Sequence, residues 1–121
     1  MFASDPETDS LLRAATSHGA SKDMQTAVMC LQAATSRMHY SPVSYPSETW
    51  LRLPLYLQKA GRYQEALTEF EKLISETEAR IARAFSHQSK AKQRIFCRQE
   101  IEVIRGKMQL AAERENRKRP L

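Results

Sequence analysis

Apolar side chains recur along this chain at helical intervals, and the places where the rhythm breaks divide it into segments. Trp50, Leu53 and Leu57 share one helical face, Gly61 and Arg62 interrupt, and Tyr63, Ala66, Leu67, Phe70 and Leu73 restart the stripe. The spacing predicts two helices joined at Gly61. Upstream, Asp9 or Ser10 offers a cap for a helix through Leu11, Leu12, Ala14 and Ala15, with Gly19 as its stop after His18. Ser21 to Asp23 supplies the next cap, and a helix from about Lys22 to Met38 sets Ala27, Cys30, Leu31 and Ala34 on one face. The segment 39–47, HYSPVSYPS, is a loop, because each proline lacks an amide hydrogen and drives its predecessor toward extended backbone. Beyond Leu73 the chain stays helix-forming to about Asn116, with a break expected over Ser86–Ser89, where polar side chains can cap a new start. Past that break Cys97, Ile101, Ile104, Met108 and Ala111 recur in steps of four, three, four and three, a heptad-like seam that needs a covering partner. Apolar and polar residues never alternate as a strand requires, so the pattern predicts an all-α fold of about five helices.

A shift of 39 residues lays Leu11 on Trp50, Ala15 on Pro54, His18 on Leu57, Met24 on Tyr63, Ala27 on Ala66, Leu31 on Phe70 and Ala34 on Leu73. Through Gly61, Tyr63, Ala66 and Phe70 the second of these hairpins resembles the tetratricopeptide (TPR) repeat, a 34-residue helix-turn-helix unit whose large and small side chains interlock. The resemblance covers about a quarter of the chain. It implies two stacked antiparallel hairpins, 8–38 and 47–79, then a C-terminal helix or helices over 80–117 and a tail at 118–121, in a single helical domain. Pro54 stands where the family has Gly or Ala, which predicts a kinked or late-starting helix. Glu78 replaces the family's closing proline, so the second helix of that hairpin is expected to run on. Ligands of TPR-like proteins are peptides on the first helix of each hairpin, which here presents Glu48, Leu51, Arg52, Leu55, Gln58 and Lys59. Leu51 and Leu55 replace the polar side chains that grip a peptide carboxylate. They make either an apolar groove or a face packed under the C-terminal helix.

Charge sharpens this picture. The 121 residues carry a net +5, distributed as 7 basic against 10 acidic side chains in 1–79 and 12 against 4 in 80–121. Arg114, Arg117, Lys118 and Arg119 form a basic end that can contact phosphates or simply complement a helix dipole. No aromatic residue follows Phe96, so a stacking platform for single strands is missing. His18, His39 and His87 are far apart in sequence and form no HExxH or HxxxH pair, and the three glycines stand alone without a phosphate-cradling loop. Neither cofactor nor metal is expected. Cys30 and Cys97 read as buried thiols of a reducing compartment. The start, MFASDPETDS, has no signal-peptide pattern, and no apolar run nears the roughly 20 residues that cross a bilayer. The expectation is a cytoplasmic protein without a membrane segment. Taken together these features predict a noncatalytic protein-interaction or assembly module that self-associates through Ile101, Ile104 and Met108. The alternative is a small nucleic-acid-associated protein using its basic C-terminal helix.

Overall fold

The computed structural model describes residues 5–118, which are all-α: six helices and no strand among the described residues. They are α1 (Pro6–Ala20), α2 (Met24–Tyr40), α3 (Ser47–Lys59), α4 (Tyr63–Ser75), α5 (Thr77–Ala84) and α6 (Lys90–Lys118). The chain divides into two compact units, one up to Ala66 and one from Leu67 onward.

In the first unit α1 begins earlier than the apolar pattern predicts. Asp5 is its N-cap, accepting from the Thr8 amide at 3.3 Å, and Pro6 fills the first helical position, where a missing amide hydrogen costs nothing. Gly19 does not stop this helix, which continues to Ala20. The turn belongs to Lys22, whose φ of 64° places it in the left-handed region. Around it the Asp23 amide donates to the His18 carbonyl at 2.9 Å and the Lys22 amide to the Gly19 carbonyl at 3.0 Å. This is the Schellman pair that satisfies a helix end. Asp23 then caps α2 through the Thr26 amide.

The α3–α4 turn is built the same way. Gly61 has φ 79°, the Arg62 amide donates to the Leu57 carbonyl at 2.8 Å, and the Gly61 amide donates to the Gln58 carbonyl at 3.0 Å. Lys22 and Gly61 are 39 residues apart, the offset read from the sequence. Ala27 and Ala66, also paired by that offset, have no exposed surface at all. Leu53 and Leu57 of α3 cluster with Ala15, Val28, Leu31 and Ala66 to form the core of this unit, edged by Leu12, Cys30, Tyr56, Ala60 and Tyr63. Helix α3 neither starts late nor stops at Pro54: it begins at Ser47 after Pro46 and carries Pro54 inside it, buried.

In the second unit α4 does not run on. It ends at Ser75, and α5 starts at Thr77. The Leu73 carbonyl at this interruption accepts the Thr77 hydroxyl at 2.7 Å and the Arg80 guanidinium at 3.0 Å. A threonine hydroxyl bonded four residues back competes with regular helix geometry. Arg80 also donates to the Thr77 hydroxyl at 3.1 Å and is buried, and desolvation holds its pKa below the usual arginine range despite the nearby Glu100 and Glu76 carboxylates. The break after α5 falls where expected, with Ser89 capping α6 through the Lys92 amide. Gln93 ties the turn by donating to the Phe85 and Gln88 carbonyls.

Candidate interaction surfaces

The inner-face residues of α3 are divided by the structure. Leu51 and Gln58 are buried, Leu55 and Arg52 are half-buried and Lys59 is exposed. Leu51 is therefore not the floor of an open apolar groove, because its side chain is already covered. Arg52 reaches across to α1, donating to the Leu12 carbonyl at 3.2 Å and to the Thr16 hydroxyl at 2.8 Å. Tyr56 lies against Gly19: a Cβ built there would be 3.0 Å from the ring. The missing side chain at position 19 thus leaves room for the Tyr56 ring. Arg52 and Lys59 both sit over that ring, at 5.5 and 5.1 Å from its centroid, in cation–π range.

At the far end of the same hairpin, Arg37 of α2 bonds Asp5 at 2.8 Å, Glu7 at 2.9 Å and the Thr8 hydroxyl at 3.2 Å. Thr8 donates to the other Asp5 oxygen at 2.6 Å. Those bonds, from Thr8 first and Arg37 second, lower the Asp5 pKa to about 2.

On α6 the seam positions of the sequence reading do share one face. Ile104 and Ala111 are buried within the single chain, while Cys97, Ile101 and Met108 are half-buried. Ile104 is therefore not a free surface for a second copy. A different row, Phe96, Val103 and Leu110, repeats every seven residues on another side of the helix. Val103 and Leu110 are 45% and 46% exposed, and Phe96 packs against Phe85 with centroids 4.6 Å apart and the rings tilted by 42°. Gly106 lies between the two exposed members, and a Cβ there would meet nothing within 4 Å.

The second unit also holds a groove that the one-dimensional pattern did not reveal. It lies between α5 and the first turns of α6, encloses about 780 Å³, and has Ile81, Ala82, Ile95 and Cys97 among its apolar lining. Its basic members, Lys90, Arg94 and Arg98, follow one another at intervals of four. That spacing was visible in the sequence, but the α5 wall was not.

Of the basic C-terminal residues, Lys118 pairs with Glu115 at 3.8 Å, Arg114 is engaged, Arg117 is exposed, and Arg119 lies outside the described residues. The histidines are scattered: His18 is 3.8 Å from Asp23, His39 packs at a tilt against Trp50 with centroids 5.1 Å apart, and His87 sits in the α5–α6 turn. Among the described residues no three His, Cys, Asp or Glu side chains converge as a metal site would need. Cys30 and Cys97 are free thiols, and both are half-buried, not fully enclosed as the sequence reading expects. No described helix is long and apolar enough to cross a membrane. Compared with protein-family models, with curated proteins and with solved structures, the chain matches none.

Proposed function

We propose that this chain is a noncatalytic protein-interaction module on a TPR-like helical scaffold, acting in the cytoplasm and associating with itself. The observation that carries the reading is the outward row on α6. Val103 and Leu110 expose apolar surface at heptad spacing on a helix whose other apolar seam is buried at Ile104 and Ala111 and half-buried at Cys97, Ile101 and Met108. Gly106 adds to it. A mid-helix glycine costs roughly 0.5–1 kcal/mol relative to alanine, and no close contact among the described residues accounts for this one. A second helix approaching between Val103 and Leu110 would. The scaffold half of the reading is supported by the repeated Schellman turn at Lys22 and Gly61 and by the close Gly19–Tyr56 contact.

The test is light scattering on the full chain at tens of micromolar. The wild type should scatter as an oligomer, and Val103→Glu with Leu110→Glu should scatter as a monomer of unchanged helix content, since both side chains face solvent in the single chain. Ile104→Glu is the contrasting variant: burying an unpaired carboxylate costs several kcal/mol, so it should lower the melting temperature. A wild type that is monomeric at every concentration tested refutes self-association.

A further inference from the structure

The α5–α6 groove combines an apolar floor with cations that nothing in the described chain neutralises. Lys90, Arg94 and Arg98 are exposed and make no ion pair among the described residues. Glu78 is the one carboxylate in the lining. Arginines that merely solubilise a helix usually alternate with acids three or four residues away. Here positions 90, 94 and 98 are all basic; neither Lys90 nor Arg94 has an acid three or four residues away, and Arg98 makes no ion pair with Glu102, four residues on. At 1.5 Å per residue the three cations rise about 12 Å along the groove in steps of about 6 Å.

Two features select the occupant. The apolar floor, with Ile95 still 43% exposed, calls for apolar side chains. The cation row calls for carboxylates at a matching rise. A helix carrying acids at i, i+4 and i+8 and apolar residues on the adjacent face supplies both, because its acids advance by the same roughly 6 Å steps. A nucleic-acid strand would satisfy only the cations, would leave the floor uncovered, and would bring its phosphates to Glu78. We infer that this groove is a docking site for an acidic amphipathic helix of a protein partner, gripped by Arg94 and Arg98 with its apolar face on Ile81 and Ile95. The site goes beyond the self-association reading and does not depend on it, since Val103 and Leu110 take no part in the groove.

The experiment uses the full chain and four probes. They are a fluorescein-labelled, stapled 16-residue helix with Glu at i, i+4 and i+8 beside a leucine face, the same helix with Lys for Glu, the same composition with the leucine face scrambled, and a labelled 16-mer of oligouridylate. The acidic amphipathic helix should bind best. Arg94→Glu with Arg98→Glu should weaken it by about ten- to thirty-fold, from two exposed pairs turned from attraction to repulsion. The same charge-reversed protein should instead prefer the Lys probe, and that swap excludes simple misfolding because it demands an intact groove. Arg117→Glu, outside the groove, should leave binding unchanged. The inference is overturned if the acidic helix fails to bind or its scrambled form binds as well. It is equally overturned if oligouridylate competes on equal terms, if the swap does not restore binding, or if a second copy of the chain occupies the groove, seen as self-association lost in the Arg94→Glu, Arg98→Glu protein. Val103→Glu with Leu110→Glu should bind the acidic helix normally, which separates failure of this site from failure of self-association.

Discussion

Reversing the residues at the two hairpin turns tests whether backbone conformation or side-chain chemistry makes these hinges. Gly61 sits at φ 79°, where an L-residue pays roughly 1–2 kcal/mol for its Cβ. The Cβ of an alanine there would meet no atom within 4 Å, so crowding adds nothing to that cost. Alanine also restricts the unfolded chain, which returns roughly 0.4–1 kcal/mol. The net expectation for Gly61→Ala is a loss of about 1 kcal/mol. Lys22 already bears the same strain at φ 64°, so Lys22→Gly should gain stability by up to about 1 kcal/mol. Both turns lie in the first unit, and Trp50, at 4% exposure, is a fluorophore inside it. Urea titration followed by Trp50 emission should therefore move its midpoint by roughly 0.5 M in opposite directions for the two variants, at unchanged slope. Equal stability of Gly61→Ala and wild type, or shifts of the same sign, would refute the strain account.

Ala66 has no exposed surface and belongs to the cluster containing Leu53 and Leu57, so Ala66→Leu should overpack it and cost roughly 1–3 kcal/mol by the same titration. Asp5 should make stability acid-sensitive. Its folded pKa of about 2 lies below the ordinary 3.8, so its contribution is complete above 3.8 and fades as pH falls toward 2. Asp5→Asn should accordingly be less stable than wild type at pH 6, and the gap between their urea midpoints should narrow steadily as pH falls from about 4 toward 2. A gap independent of pH would mean that Asp5 acts through shape alone.

Helix-forming stretches and the Gly61 hinge were legible in the sequence because both are local signals. The start of α1 was harder to place. Asp5 and Pro6 form a cap signature, but no apolar residue follows until Leu11, so apolar periodicity alone marks a later start. The Lys22 hinge was hidden because its left-handed position carries a lysine, and nothing in the letters marks strain. The break at Glu76 was not legible either, since it involves Arg80 reaching seven residues back to a backbone carbonyl. For the candidate surfaces, the seam on α6 was correctly placed on one face, but which apolar row the chain covers is a tertiary fact. The groove escaped for the same reason: Lys90, Arg94 and Arg98 could be aligned from spacing alone, whereas Ile81 and Ala82 opposite them come from another helix.

The two side chains on the Leu73 carbonyl have a consequence for how this protein can vary over generations. Thr77 and Arg80 hold one another as well as that carbonyl, so neither can drift alone without stranding a buried cation or leaving the joint half-made. Lost together, to alanine and leucine for instance, they would free the backbone to close its own ladder, and 63–84 would fuse into a single 22-residue rod of about 33 Å. Descendants of this chain should therefore fall into two groups, those with α4 and α5 separate and those with one continuous helix, with few intermediates, and positions 77 and 80 would sort them.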